Sequence, residues 1–184
     1  KLNNNCGKLN SKEIEEIILN NNKKLKINFS NSTKVTEKDY LVLFTSGTTG
    51  IPKAILLSQK NKFERSLYAG RLYNFRKNEC VILNYSLVHS LGQRLLFLGL
   101  IHNGKVVVMS NHNPLKWFEL CKKYQVSFSI VVSIHIKQFL KLKLKLHSLH
   151  YLKTLISVSD ILEDEIRKKI LKYKFNFHEI YGAT

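Results

Sequence analysis

The stretch Thr45-Ser46-Gly47-Thr48-Thr49-Gly50-Ile51-Pro52-Lys53 decides how this sequence is interpreted. It lies between two short apolar runs, Leu41–Phe44 and Ala54–Leu57, which we predict to be buried strands. The two glycines can adopt positive φ and let the backbone approach a ligand closely. Successive backbone N–H groups in such a turn form an anion-binding concavity, to which the four hydroxyls and Lys53 add donors. The stretch therefore predicts a loop between two strands that binds phosphate.

Two other interpretations compete for this loop. A β-hairpin loop rich in small polar residues is the simplest, but the order of the residues here is more particular than such a loop requires. The common P-loop needs G-x-x-x-x-G-K-[ST] at the start of a helix. In this chain Gly47 and Gly50 are too close together, Pro52 precedes the lysine and Ala54 follows it.

The composition is that of a globular protein with one sizeable core. The chain has 184 residues, of which 44% are hydrophobic, and no apolar run approaches the 18 residues that a membrane span needs. Its three cysteines are scattered, and no Cys/His cluster indicates a metal, so we expect a reducing, cytoplasmic setting. Because the chain begins with Lys1, we expect it to be a fragment or a processed piece.

The formal net charge of +17 comes from 30 Lys and Arg residues against 13 Asp and Glu residues. Such a charge invites a nucleic-acid or anionic-membrane interpretation. Lysine is, however, spread along the chain together with Asn, Ile, Phe and Tyr, the pattern expected of an A/T-rich coding sequence. We therefore attribute the charge to compositional drift and expect no specific nucleic-acid partner.

The apolar pattern predicts strands that alternate with helices of ten or more residues. This arrangement indicates βαβ units on a largely parallel sheet, an α/β fold in which ligands bind beyond the carboxyl ends of strands. For Leu140–Leu146 the alternation of Leu and Lys taken alone favours an edge strand, although a helix end and loop suit the layout better. The other predicted strands are 25–29, 41–44, 54–57, 81–83, 106–109, 127–132, 155–158 and 175–180, and helices start near Asn10, Ser58, Ser90, Asn113 and Ser159 or Asp160.

The stretch from Thr45 through Asn61 resembles the signature loop of the adenylate-forming superfamily, with Ser58 and Asn61 matching and Gln59 in place of a usual histidine. This superfamily includes acyl-CoA synthetases, amino-acid-activating domains and firefly-type luciferases. The resemblance implies that residues 1–184 are a central fragment of the large N-terminal domain. The rest of that domain and the small C-terminal domain would be absent.

Three further segments resemble motifs of the same superfamily. Ser86-Leu87-Val88-His89 followed by Gly92 is similar to a segment whose histidine lines the acyl pocket, so His89 is a candidate acyl-pocket residue. Ser157 begins a segment placed like the small turn against the adenine, although Val158 and Ser159 replace small or glycine residues. The final Tyr181-Gly182-Ala183-Thr184 resembles Tyr-Gly-x-Thr-Glu, in which tyrosine packs on adenine and threonine meets the α-phosphate.

The resemblance implies an enzyme that activates a fatty, aryl or amino acid with ATP and Mg²⁺, and then passes the acyl group to CoA or to an acyl or peptidyl carrier protein. It implies nucleotide contacts from Thr45, Ser46, Gly47, Thr48, Thr49, Gly50, Lys53, Ser157, Tyr181, Gly182 and Thr184, with the magnesium ligand beyond Thr184. A fragment alone would not complete a turnover. The alternatives are a truncated, non-catalytic nucleotide-binding relative and a basic nucleic-acid-binding α/β domain.

Overall fold

The computed structural model describes residues 39–45 and 53–180, in which strands alternate with helices. The helix predicted at Asn10 and the strand predicted at 25–29 lie outside the described residues. The strands are β1 (Asp39–Thr45), β2 (Lys53–Ser58), β3 (Cys80–Leu83), β4 (Lys105–Val108), β5 (Phe128–Val132), β6 (Thr154–Val158) and β7 (Asn176–Ile180). The helices are α1 (Gln59–Leu72), α2 (Ser90–Ile101), α3 (Pro114–Lys123), α4 (Ser133–Lys141) and α5 (Asp164–Ile170), with a 3₁₀ turn at Leu146–Ser148.

The strands form two sheets. β1 and β2 are an antiparallel pair, in which Leu41 lies opposite Leu57 and Thr45 opposite Lys53. The other five strands are parallel and lie in the order β4-β3-β5-β6-β7. The predicted α/β fold with a largely parallel sheet is confirmed.

Helix α3 starts and helix α2 ends where the sequence predicts. Asn113 Oδ1 accepts hydrogen bonds of 3.0 Å from the backbone N–H groups of Leu115 and Lys116, ahead of Pro114 at the first helical position. At the end of α2, Asn103 takes a φ of 51° and the N–H of Gly104 donates to the carbonyl of Gly99 at 2.8 Å. A left-handed residue followed by this returning bond is a common way for a helix to end.

The parallel sheet is buried on both faces. Neighbouring residues of one strand belong to different apolar clusters, as in β3, where Ile82 packs in one cluster and Val81 in the other. Because successive side chains of a strand point to opposite faces, the two clusters lie on opposite sides of the sheet. Trp117, Ile136 and Ile170 place α3, α4 and α5 on the first side, whereas Leu95 places α2 on the second.

Helix α1 corrects one prediction about the core. The apolar spacing of the sequence predicts an inward face formed by Phe63, Leu67, Leu72 and Tyr73, but Leu72 is 59% exposed. The buried positions of α1 are Lys62, Ser66 and Gly70, which recur every four residues. A Cβ on Gly70 would lie 2.0 Å from the His102 ring at the end of α2, so a glycine is needed where the two elements approach. Close approach, rather than a leucine stripe, therefore determines which face of α1 is inward.

Two other local predictions differ from the structure, and one is confirmed. The apolar pattern of 117–124 predicts that Tyr124 is buried, but it is 45% exposed, since the helix ends at Lys123 and position 124 no longer follows its buried face. Leu140–Leu146 forms no strand: α4 ends at Lys141, and a turn with Lys143 at a φ of 50° leads into the 3₁₀ turn. Neither Ser159 nor Asp160 caps α5, which instead begins after Glu163. The prediction that suits the layout better for Leu140–Leu146, a helix end followed by a loop, is confirmed.

Candidate functional site

The strand order creates a crevice at one edge of the parallel sheet. After β3 the chain crosses outward to β4, and it then returns to pair β5 on the other side of β3. In open α/β sheets, ligands bind outside the carboxyl ends of strands where the order reverses in this way. The segments that follow β3, β5 and β6 meet at this edge, which we call the carboxyl edge. Of the predicted site positions, His89 lies in the segment after β3, and Ser157 lies in β6, one residue before the end of that strand.

The predicted phosphate-binding loop connects the two antiparallel strands. Thr45 is the last residue of β1, Lys53 is the first of β2, and the two are directly paired. The loop between them therefore starts and ends at adjacent backbone positions. Ser46, Gly47, Thr48, Thr49 and Gly50 lie outside the described residues, as do Tyr181, Gly182 and Thr184 near the chain end. Their roles stay predictions.

His89 lies in the loop that joins β3 to α2. It is exposed and occupies the position just before the helix, with extended backbone (φ −94°, ψ 146°) and no capping hydrogen bond from its side chain. Its backbone N–H donates to the carbonyl of Ser86 at 3.1 Å, which closes a tight turn. At the start of the loop, Asn84 is buried and its Nδ2 donates to the carbonyl of Ile130 on β5 at 3.2 Å. The imidazole is thus presented to solvent from a loop fixed to the sheet.

Glycine at position 92 permits the path of this loop. A Cβ on Gly92 would lie 2.3 Å from the carbonyl oxygen of Ser86 and 2.8 Å from that of Tyr85. Both are backbone atoms, which cannot rotate away as a side chain would. Any side chain at position 92 must therefore displace the loop that carries His89.

Two side chains that the sequence did not single out connect α1 to the same loop. Lys62 Nζ donates to Gln93 Oε1 at 2.8 Å, and Gln93 Nε2 donates to the carbonyl of Leu87 at 2.8 Å. Burial, with repulsion from Arg65 and Arg94, lowers the pKa of Lys62 to about 8. Because α1 directly follows β2, this bridge links the element after the predicted phosphate loop to the His89 loop. A lysine on an amphipathic helix is normally solvated, so only the tertiary structure identifies Lys62.

The segment after β6 forms a tight turn even though it contains no glycine. Ser159 takes a φ of 82°, a backbone conformation that glycine adopts more readily. Serine therefore forms the turn at which the superfamily resemblance leads us to expect glycine. Ser157, at 1% exposure, lies just before it, and its Oγ has no hydrogen-bond partner among the described residues. A buried hydroxyl without a partner is unusual and is consistent with a site that a ligand completes.

Arg167 and Glu179 join the turn after β6 to the end of β7. Glu179 accepts hydrogen bonds from the Arg167 guanidinium and, at 3.1 Å, from the backbone N–H of Leu162. Arg167 also donates to the carbonyl of Leu162 at 3.0 Å. The hydrogen bond from Arg167 holds the pKa of Glu179 below its usual value. These contacts fix the positions of two segments that border the predicted adenine site. In the sequence, the sign of this contact is only that Arg167 is a basic residue late in a predicted helix.

An apolar cavity of about 430 Å³ lies between α1, α2 and the sheet. Its edge is polar, with Glu64, Arg65 and Arg94. Burial lowers the pKa of Arg94, and repulsion from Arg65 adds to this effect. The cavity reaches Ile180, the residue before Tyr181. Its apolar lining is formed mainly by Leu95, Leu98, Phe128, Ile130, Ile156 and Ile180.

The described part of the chain contains no group of three or more His, Cys, Asp or Glu side chains that could hold a metal ion. It also contains no helix long and apolar enough to cross a membrane.

Sequence comparison matches residues 5–184 to the family described as AMP-binding enzyme. Among curated proteins, the chain is 28% identical over 192 residues to probable 4-coumarate–CoA ligase 3 of Dictyostelium discoideum. That alignment covers 94% of this chain and 35% of the relative. The chain thus spans about a third of the length of the curated relatives it matches.

Solved structures share the fold. The AMP complex of o-succinylbenzoate coenzyme A synthetase from Bacillus subtilis superposes with a TM-score of 0.74 at 16% identity, over 80% of this chain and 30% of that one. The N-terminal subdomain of Klebsiella oxytoca NpsA, in complex with 3-hydroxybenzoyl-AMSN, gives a TM-score of 0.69 at 14% identity, over 84% of this chain and 40% of that one. At these identities the likeness concerns the fold, which matches N-terminal domains of acyl-CoA-synthetase-like proteins.

Proposed function

The chain belongs to the AMP-binding enzyme family, and we propose that its protein uses ATP to activate a carboxylic acid. The carboxylate attacks the α-phosphorus of ATP, an acyl–phosphate bond forms, and the bond to the β-phosphate breaks to release pyrophosphate. The thiol of CoA or of a carrier protein then takes the acyl group and releases AMP. Such chemistry requires positioning and charge stabilisation more than covalent participation by the protein.

The observation that carries this proposal is the family match over residues 5–184. It is supported by a parallel sheet in which the segments after β3, β5 and β6 lie at one edge. Because the chain spans about a third of its curated relatives, the activity is proposed for the whole protein. We place residues 1–184 in the larger N-terminal domain of such an enzyme.

We assign the nucleotide to two groups of residues. The Thr45–Lys53 loop would bind the β- and γ-phosphates through its backbone N–H groups, its hydroxyls and the Lys53 ammonium. Tyr181 would stack on the adenine and Thr184 would contact the α-phosphate, with Ser157 beside the base. We include Mg²⁺, which accompanies ATP, without assigning it to any residue of this chain.

The acid would bind between the His89 loop and the sheet. His89 follows β3 and is exposed at the carboxyl edge, and the apolar cavity is lined by Arg94, Leu95 and Leu98 of α2, the helix that begins directly after His89. The lining of Leu95, Phe128 and Ile156 favours an acid with an apolar body over a small polar acid.

An ATP–pyrophosphate exchange assay on the intact protein tests the proposal. Radiolabelled pyrophosphate should enter ATP only when a suitable acid from a panel of fatty, aryl and amino acids is present. We expect apolar acids to support the fastest exchange. Exchange that is independent of every acid, or absent with all of them, would count against acid activation.

Gly92→Ala should impair acid binding selectively. The new Cβ would meet two backbone carbonyls of the His89 loop, so the loop must move. We expect kcat/KM for the acid to fall at least about tenfold, a free-energy loss of about 1.4 kcal/mol, while the KM for ATP stays within about twofold.

Gly99→Ala on the same helix is the matched control. Its Cβ would meet the side chains of Val106 and Val81, away from the His89 loop, so it perturbs α2 packing alone. If both substitutions changed the acid and ATP parameters equally, the effect would be structural and His89 would lose its assignment to the acid.

A further inference from the structure

A second cavity, of about 660 Å³, lies at the opposite edge of the sheet from the candidate site. It is bordered by five basic side chains: His147, His150, Lys153, Lys172 and Lys174. Among the residues that the structure describes, no acidic side chain lines it. We call it the basic cavity.

The fold builds the basic cavity from two segments that immediately precede parallel strands. One segment runs from the 3₁₀ turn to Lys153, just before β6, and the other runs from Lys172 to Asn176, at the start of β7. The backbone N–H of Asn176 donates to the carbonyl of Lys153 at 2.8 Å, which holds the segments side by side. Because both segments are fixed to the sheet, the basic side chains converge without any movement of the fold.

Most of this positive charge is not neutralised within the protein. Lys153 forms an ion pair with Glu79. Lys172 and Lys174 are exposed, and neither forms an ion pair with an acidic side chain of the described residues. Three more exposed lysines, Lys141, Lys143 and Lys145, lie in the chain leading to the cavity. An anionic partner would relieve this concentration of like charge.

Apolar side chains accompany the charges. Tyr173 and Phe175 line the cavity with stacked rings, their centroids 5.6 Å apart. Tyr151, in the first segment, is 55% exposed; Leu142, four residues before that segment, is 48% exposed, and Leu171, directly before the second segment, is 58% exposed. Lysines beside exposed leucine and tyrosine are typical of surfaces that lie at a membrane interface, where the apolar groups enter the boundary and the cations meet phosphate.

We propose that this face docks the protein onto an anionic phospholipid surface, with headgroup phosphates at the basic cavity. Drift towards lysine raises the charge of the whole chain, but it does not account for five basic side chains around one cavity with exposed apolar residues beside them. The apolar residues also favour a lipid bilayer over nucleic acid, which offers no apolar interior to receive them. The face lies away from the carboxyl edge, so docking leaves the candidate site open.

Vesicle sedimentation with the intact protein tests this proposal. We expect strong binding to vesicles of phosphatidylcholine with phosphatidylserine and little binding to phosphatidylcholine alone. The double substitution Lys172→Glu and Lys174→Glu should weaken binding at least about thirty-fold, since each lysine near an anionic surface contributes about 1 kcal/mol. The double substitution Lys60→Glu and Lys116→Glu makes the same charge change at exposed positions in the first turns of α1 and α3, outside the segments that build the basic cavity, and should have a much smaller effect.

Three further experiments distinguish binding to lipid from binding to other anions. Leu142→Ser with Tyr151→Ser should make vesicle binding more sensitive to salt, because the apolar contribution is lost. Millimolar glycerol phosphate should compete poorly, and binding to duplex DNA should be weak and vanish at moderate salt. Equal effects of the two lysine pairs, full competition by glycerol phosphate, or DNA binding that survives physiological salt would overturn the proposal.

Discussion

Replacement of Lys53 by alanine in the intact protein is expected to slow adenylation about ten- to a hundred-fold while AMP affinity stays nearly unchanged. The Lys53 position is directly paired with Thr45 at the end of the predicted phosphate loop. Its ammonium should face the same anion as the loop's backbone N–H groups. Loss of one charge-assisted contact typically costs about 1.5–3 kcal/mol, and AMP lacks the phosphates that Lys53 would contact.

Tyr181→Ala tests the adenine end of the nucleotide, whereas Lys53→Ala tests the polyphosphate end. Loss of stacking on the base should weaken AMP and ATP binding alike, by about 1–3 kcal/mol. Equilibrium binding of both nucleotides to both variants, with single-turnover rates of adenylate formation, measures the contrast. If Lys53→Ala weakened AMP as much as ATP, the assignment of the Thr45–Lys53 loop to the polyphosphate would have to be withdrawn.

Trp117→Ala is expected to lower the free energy of unfolding by about 3–5 kcal/mol. Trp117 is fully buried, its ring lies 4.4 Å from that of Phe139, and its Nε1 donates to Ser129 Oγ at 3.1 Å. Truncation would leave a cavity between α3, α4 and the sheet and remove the partner of a buried hydroxyl. Urea unfolding followed by far-ultraviolet circular dichroism measures the change.

Two variants control this experiment. Trp117→Phe retains an aromatic ring but loses the hydrogen bond, so it should cost clearly less than the alanine substitution. Tyr124→Ala, at the exposed residue that directly follows the same helix, should change the free energy of unfolding by less than about 0.5 kcal/mol. Equal losses for Trp117→Ala and Tyr124→Ala would show that the apolar cluster around Trp117 is not packed as described.

The alternation of strands and helices was predictable because apolar runs in this chain are short and separated by strong local signals. Asn113-Pro114 starts a helix and Asn103-Gly104 ends one through contacts within a single turn, which sequence reasoning can anticipate. The errors arose where tertiary contacts decide. The inward face of α1 depends on how closely His102, at the end of α2, approaches Gly70.

The candidate site was predictable only where chemistry is concentrated in a contiguous motif. The Thr45–Lys53 loop and the Tyr181–Thr184 end could be identified in this way, and both remain predictions on residues largely outside the described part of the chain. Lys62, Gln93, Arg167 and Glu179 could not be identified, because their roles depend on partners far away in the sequence. Lys62 and Gln93 are 31 residues apart, and Arg167 and Glu179 meet only because α5 packs beside β7.

The nucleotide products of a turnover test the central claim most directly. The intact protein is incubated with ATP, the acid that best supports exchange and an acyl acceptor, and the phosphorus-containing products are quantified by ³¹P NMR. Acid activation predicts AMP and pyrophosphate in equal amounts, both dependent on the acid. Formation of ADP and orthophosphate instead would contradict the account.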